Sequence, residues 1–137
     1  MGAAVALLDD GPSVMEAMRD RAKAAFAVHL VALATEAEPA EILRATRARS
    51  RAARSRWMAM YLMHTGLQVP AARVAAAFGR DRTTVSQAIN RVEDWRSDPE
   101  FDAVMTGLDA CASAAPGGGS GGPLAAPERL DEAEFRL

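Results

Sequence analysis

The chain has 137 residues, half of them hydrophobic and only 5% aromatic, with a formal net charge of −2. This length suits one small domain with a short segment at either end. No apolar run of 18 residues without charge occurs, which argues against a membrane span, and Asp9 and Asp10 interrupt the one candidate secretory signal. Cys111 is the single cysteine, so an internal disulfide is excluded and a reducing cytoplasm is favoured. The GxxxxGK[ST] phosphate-binding loop of common ATPases is absent.

Charge is distributed unevenly along the chain. From Arg44 to Arg91 there are ten arginines against one acid, Asp81, which is a balance of +9. The rest of the chain holds six basic residues and seventeen acids, a balance of −11, which together with the first gives the net −2. A basic middle in an acidic frame indicates a local site for a polyanion, so the acidic overall composition does not exclude nucleic acid.

The first half of the chain predicts one long helix after a flexible start over residues 1–12. Ser13 and Glu16 have the spacing of a capping box, and no Gly or Pro follows until after residue 36. Beyond Pro39, a single turn over 40–44 is expected to carry Ile42 and Leu43 inward. The apolar stripe predicted to face the core of the long helix is Met15, Met18, Ala22, Phe26, Leu30 and Leu33.

Four more helices are predicted from apolar periodicity and from Gly and Pro at their ends, over about 53–64, 70–78, 83–97 and from 99 onward. Gly66 is expected to be the left-handed residue that ends the first of these. No period-2 alternation occurs, so the domain, over 13–115, is expected to be all-α. The predicted core residues are Trp57, Met58, Tyr61 and Leu62, then Val74, Ala77 and Phe78, then Val85, Ile89, Val92 and either Trp95 or Ala88, and finally Phe101, Val104, Met105 and Leu108.

The C-terminal segment, 116–137, reads as a flexible Gly- and Pro-rich linker, PGGGSGGP, followed by an acidic tail. A linker of this composition builds no core. The acids of the tail repel phosphates, so we expect the segment to be dispensable for DNA binding. These acids are Glu128, Asp131, Glu132 and Glu134.

A helix-turn-helix is the strongest functional signal. Two short helices, at 70–78 and 83–97, are joined by Gly79-Arg80-Asp81-Arg82, and the second helix of such a unit enters the major groove. Arg suits guanine, Gln and Asn suit adenine, and a Thr methyl suits thymine, although an ordinary solvent-facing helix can carry the same residues. The residues predicted to face outward are Arg82, Thr83, Thr84, Ser86, Gln87, Asn90 and Arg91.

Six arginines crowd the thirteen residues RATRARSRAARSR, from Arg44 to Arg56. Like charges repel, so such a segment favours solvent or phosphates. Arg47, Arg49 and Arg51 alternate with small residues, which predicts a thin basic loop able to enter a minor groove. A solvated loop, a targeting patch or an RNA-binding patch would also fit, but no aromatic platform of the RNA-binding kind accompanies the arginines.

The run RSRAARSRWMAMYL, followed by VPAARVAAAFGRDRTTVSQAINRVEDW, resembles the C-terminal duplex-binding domain of the bacterial replication initiator DnaA. That family has a basic loop, a helix beginning RxxAMYL, and a Trp-repressor-like helix-turn-helix whose second helix begins GRDHTTV. The resemblance extends from about Phe26 to Leu108. It implies an all-α fold, a small helical bundle with a helix-turn-helix preceded by a basic loop.

The resemblance also implies residue roles. Arg49 and Arg51, with Arg47 as a one-residue alternative, correspond to arginines that read the minor groove. Arg56 corresponds to a phosphate contact, and Val69 and Pro70 to a loop whose backbone faces phosphate. The remaining implied DNA contacts are Asp81, Thr83, Thr84 and Arg91, to which the outward-facing set adds Arg82 and Gln87.

The chain departs from the family pattern at four places. Arg82 replaces the family histidine, Gly79 replaces a Gly-Gly pair, Ser86 and Gln87 replace Leu-His, and the loop before Pro70 is shorter. Recognition of the standard initiator site is therefore not implied. Because the nucleotide-binding part of the initiator is not found, the expectation is a free-standing relative of its duplex-reading domain.

No residues point to an enzyme or to a metal site. His29, His64 and Cys111 have no partners at ligand or catalytic spacing, although His64 lies where the family tends to have a basic residue. We expect a non-enzyme with no cofactor, no metal and no small-molecule substrate, acting in the cytoplasm on the nucleoid.

Two functional hypotheses follow. The first is sequence-specific binding of double-stranded DNA in the regulation of chromosomal replication initiation, or of promoters with related sites. The alternative is an adaptor that regulates DnaA, or its inactivation by ATP hydrolysis, through protein contact. An RNA-binding protein is a third and weaker interpretation.

Overall fold

The fold is all-α, as predicted. A computed structural model describes residues 13–44 and 50–114. The expectations for 1–12, for 116–137, and for Arg47 and Arg49 fall outside these residues. The described part contains six helices: α1 (Val14–Thr35), α2 (Pro39–Arg44), α3 (Ser50–Thr65), α4 (Ala71–Phe78), α5 (Arg82–Trp95) and α6 (Pro99–Ala114).

Helix α3 is the centre of the bundle. The other five helices all pack against it, and its residues from Met58 to Met63 are buried on every side. The predicted core positions Met58, Tyr61 and Leu62 are confirmed, and Met60 and Met63 are fully buried as well. A helix apolar all round is stable in water only when covered by neighbours, so the sequence of α3 requires the surrounding helices.

The N-terminus of α1 is fixed by the predicted capping box. The backbone N–H of Ser13 donates to Glu16 Oε2 at 2.8 Å, and the N–H of Glu16 donates to Ser13 Oγ at 3.2 Å. These bonds satisfy two donors that a helix start otherwise leaves open, and the hydrogen bond from the Ser13 backbone is the main cause of the lowered pKa of Glu16. The helix is followed by Glu36 in the left-handed conformation, with φ of 57°.

The predicted core stripe of α1 is wrong. The buried face consists of small residues on the opposite side of the helix: Ala24, Ala27, Val28, Val31 and Ala32. Met15 is 60% exposed, Met18 59% and Leu33 81%. The helix has two apolar stripes, and the one with small side chains faces the bundle because it lets the α1 backbone approach α3 closely. Of the rest of the predicted stripe, Ala22 and Phe26 are exposed and Leu30 is half-buried.

Three further local expectations are also corrected. Leu43 of α2 and Val104 of α6 are 42% and 44% exposed, whereas Ile42 is buried as predicted. Gly66 does not have a positive φ; the left-handed residue in this turn is Gln68, with φ of 57°. Gly66 is needed because a Cβ would lie 2.9 Å from the carbonyl oxygen of Leu62 and 3.0 Å from the Cβ of Ala112, so α6 could not approach.

A bidentate ion pair between Asp20 and Arg73 joins α1 to α4. Arg73 donates from Nε to Asp20 Oδ2 at 2.9 Å and from Nη2 to Asp20 Oδ1 at 2.8 Å. Asp20 is 3% exposed, while about a third of the Arg73 side chain remains in solvent. The hydrogen bond to Asp20 is the main cause of the raised pKa of Arg73. Without Arg73, no ion pair would offset the free-energy cost of removing the Asp20 carboxylate from water.

We therefore expect Arg73→Ala to lower the free energy of unfolding by about 1–3 kcal/mol, because it strands the carboxylate of Asp20. The double variant Asp20→Ala/Arg73→Ala should lose less than Arg73→Ala alone. Urea denaturation followed by circular dichroism measures both. Arg19→Ala, which truncates an exposed arginine of α1 next to Asp20, is the control, and an Arg73→Ala loss no greater than that of the control would contradict the expectation.

Candidate nucleic-acid interface

Helices α4 and α5 form the helix-turn-helix. Gly79 ends α4 in the left-handed conformation, with φ of 64° and ψ of 37°. Its N–H donates to the carbonyl of Ala76 at 3.2 Å, and the N–H of Arg80 donates to that of Ala75 at 2.9 Å. These bonds satisfy carbonyls at the end of α4 and reverse the chain within three residues, which sets the direction of α5.

The outward face of α5 is confirmed as a solvent-facing polar surface. Val85, Ala88 and Val92 are fully buried against the bundle, and Ile89 and Trp95 are half-buried. The opposite side presents donors and acceptors suited to base edges. Thr84 is half-buried, and the exposed members of the predicted set are Arg82, Thr83, Ser86, Gln87, Asn90 and Arg91.

The N-terminus of α5 has no side-chain capping hydrogen bond. Asp81 occupies the N-cap position, but its side chain makes no capping hydrogen bond and is exposed. No acid follows in the first turn, and the N–H of Val85 is the first to be used, donating to the carbonyl of Asp81 at 3.2 Å. The preceding amides and the helix dipole favour an anion here.

The C-terminal end of α5 is anchored by a hydrogen-bonded network. Tyr61 of α3 donates to Glu93 Oε1 at 2.8 Å and accepts from Arg96 Nη1 at 3.1 Å. Arg96 also donates from Nε to Asp102 of α6 at 2.6 Å, and this bond is the main cause of its raised pKa. Burial, followed by the bond to Glu93, raises the pKa of Tyr61. The network fixes α5 relative to both neighbours.

Two tryptophans and two arginines stack beside the outward face of α5. The rings of Trp57 and Trp95 lie 5.8 Å apart, centroid to centroid. The guanidinium of Arg54 lies 4.7 Å from the centroid of Trp95, and that of Arg91 lies 5.8 Å from the centroid of Trp57. A cation over an aromatic face is attracted to it, so the rings orient two exposed basic groups. Arg54 was not among the predicted site residues, because its partner Trp95 is distant in the sequence.

Arg56 lies deeper than its implied role suggests. It is 6% exposed, and its pKa is lowered first by burial and second by the charge of Arg80. The charge of Arg80 therefore disfavours the charged form of Arg56. The phosphate contact of Arg56 stays a prediction.

Both backbone groups of Val69 make hydrogen bonds within the protein, and the phosphate contact implied for this loop stays a prediction. The N–H of Val69 donates to the carbonyl of Met63 at 3.2 Å, and its own carbonyl accepts from His64 Nδ1 at 2.8 Å. Pro70 is exposed at the N-cap of α4 but has no N–H. The backbone N–H groups of Ala71 and Ala72, in the first turn of α4, are the donors available to a phosphate at this end of the helix.

The structure brings the α5 residues together but describes only part of the basic loop. Gln87, Asn90, Arg91, Asp94 and Trp57 line one shallow groove of about 270 Å³. Arg51 is exposed, but it lies in the first turn of α3, which begins at Ser50, so its predicted place in an extended loop is wrong. Within the described residues there is no group of three or more His, Cys, Asp or Glu side chains that could hold a metal ion. In the same residues, no helix is both long and apolar enough to cross a membrane.

Residues 27–92 match the family model described as the helix-turn-helix of the bacterial dnaA protein. Helix α4 and most of α5 lie within the segment that is similar to this family. A solved structure described as a DNA replication initiation factor is 29% identical, with a TM-score of 0.62. The match covers 72% of this chain but 30% of that one, so the chain spans less than a third of the protein it resembles. No curated protein matches the chain.

The Trp57 ring should matter for DNA affinity through Arg91. We expect Trp57→Leu to weaken binding to every duplex by a similar factor, about 0.5–1 kcal/mol, because Arg91 loses its oriented position. Trp57→Phe keeps an aromatic face and should lose less. Fluorescence anisotropy with two unrelated duplexes measures the effect, and circular dichroism checks folding. Equal losses in the Leu and Phe variants would contradict a role for the ring.

Proposed function

We propose that this protein binds double-stranded DNA sequence-specifically, without catalysis, and regulates chromosomal replication initiation or promoters that carry related sites. Helix α5 would lie in the major groove, and the basic loop before α3 would enter the adjacent minor groove. The observation that carries the proposal is the exposed polar face of α5 on a DnaA-type helix-turn-helix.

The chemistry of α5 supports base recognition rather than phosphate binding alone. Gln87 and Asn90 lie on the exposed side of the helix opposite Val85 and Ala88. An amide side chain can pair with both N6 and N7 of adenine, and Arg82 at the helix start can pair with O6 and N7 of guanine. The initiator family has His where this chain has Arg82, so we infer a preferred site that differs from the standard initiator site.

Affinity for the phosphate backbone of DNA would come from the arginines around the outward face of α5. Arg54 and Arg91 are oriented by the tryptophan rings, and Arg51 is exposed at the start of α3. Each phosphate that an arginine neutralises releases a counterion, so binding should weaken steeply as salt rises.

Arg82→Ala should relax sequence preference and cost about 1–3 kcal/mol on the preferred site. Arg91→Ala, on the same helix but stacked on Trp57, should instead weaken all duplexes about equally. Selection from a pool of random duplexes measures both preferences. An Arg82→Ala variant that selects the same motif as the parent would contradict the placement of α5 in the major groove.

An adaptor of DnaA, or of a regulator of DnaA, is the second candidate. It is favoured by the exposed apolar residues on α1, namely Met15, Met18 and Leu33, which the DNA-binding proposal does not use. A protein partner would cover this surface.

The double variant Arg49→Ala/Arg51→Ala separates the two candidates. If these arginines enter the minor groove, the A/T-rich half of the selected motif should disappear while the part read by α5 remains, because the minor groove distinguishes A·T from G·C mainly by width. Random-duplex selection measures this. A variant that binds DNA like the parent yet loses its effect on replication in cells would favour the adaptor.

A further inference from the structure

An open groove lies between α1, α3 and α6, and it includes Arg54, whose guanidinium also contacts Trp95 of α5. It has a volume of about 410 Å³, and its lining includes Met58, Phe101 and Val104. Val104 was predicted to be core but is 44% exposed. An apolar side chain at this position in the groove is the kind of surface that a binding partner covers. Arg51 and Arg54 also line the groove.

An occupant of this groove must therefore offer apolar side chains together with negative charge. The chain carries such a segment. Residues 124–137 contain four acids and two arginines, together with Leu124, Leu130, Phe135 and Leu137. A second copy of the groove face would instead bring arginines against arginines, which charge repulsion disfavours.

The same segment is within reach. Val104 precedes Ala114, the end of α6, by ten residues, or about 15 Å along the helix axis. Nine residues, 115–123, separate the helix end from Leu124. A Gly-rich segment of that length spans about 15–18 Å on average and about 30 Å at most. The average span equals the distance back to the groove, which is the condition for the highest effective concentration.

We propose that the acidic C-terminal segment, 124–137, docks into this groove of its own chain, with Leu130 and Phe135 on the apolar floor and its acids beside Arg51 and Arg54. The docked segment covers two arginines of the DNA-binding surface, so it competes with DNA. This competition rests on the proposed function, whereas the docking does not.

Competition by docking differs from repulsion by an acidic tail. The tether gives the segment 124–137 an effective concentration at the groove of roughly 1 mM. If its intrinsic Kd for the groove is about 0.1 mM, the groove is unoccupied in about a tenth of the molecules. Removing the apolar anchors should then release the segment even though every acid remains.

Docking is tested in the full chain without DNA. Phe135 is replaced by the photoreactive residue benzoylphenylalanine, and crosslinked peptides are identified by mass spectrometry. We expect intramolecular crosslinks to the peptides that contain Met58 and Val104. Val104→Glu should abolish them, while Ala103→Glu, an exposed neighbour outside the groove lining, should not. Crosslinks between two molecules, crosslinks to other surfaces or none at all would overturn the proposal.

Competition is tested with the variant Leu130→Ser/Phe135→Ser, which keeps all the acids. Its affinity for a duplex should rise roughly five- to tenfold, as should that of a chain ending at residue 115. Unchanged affinity in the double variant, with the groove crosslinks intact, would overturn the competition while leaving the docking in place. Absence of DNA binding in the parent would refute the proposed function without affecting the crosslinks.

Discussion

The burial of residues 58–63 of α3 on all sides is the constraint on which the rest of the structure depends. Isolated helices as short as α4, with eight residues, or α5, with fourteen, are marginal in water. Both gain stability by packing against α3, where Val74, Val85 and Val92 are fully buried in one core. The outward side of α5 can therefore be polar throughout, because the opposite side supplies the stability.

The polar contacts of the bundle add direction to this packing. The ion pair between Asp20 and Arg73 fixes α4 against α1, and the bonds of Tyr61 and Arg96 fix the end of α5 against α3 and α6. Gly79 then determines the turn between α4 and α5. If α5 binds DNA as proposed, a helix fixed in this way would lose little conformational freedom on binding, which preserves more of the contact energy as affinity.

Local patterns were enough to predict the helices and the recognition face. Helix ends had Gly, Pro or capping signals, and Val85 and Val92 on α5 recur at helical spacing. Ala88 and Trp95 stayed alternatives at this stage, and of the two only Ala88 is fully buried. The pattern of α1 was ambiguous because two opposite sides are apolar, and larger residues such as Met15 and Leu33 were wrongly assigned to the core. The choice between the sides depends on how closely α1 approaches α3, which is a tertiary property.

Partners distant in sequence explain what was missed in the site. Arg54 gains its role from Trp95, and Arg73 from Asp20, across separations that periodicity does not connect. The hydrogen bonds that occupy the backbone of Val69 likewise depend on the turn after α3. By contrast, Arg82, Thr83 and Gln87 were identified from the outward face of a single helix.

The central claim is that the α5 face gives this protein a DNA sequence preference of its own. Genome-wide mapping of its DNA occupancy in the host tests this claim most directly. We predict discrete peaks that share one motif and lie at the replication origin or at promoters. Occupancy without a shared motif, or only at sites that disappear when DnaA is depleted, would contradict the claim.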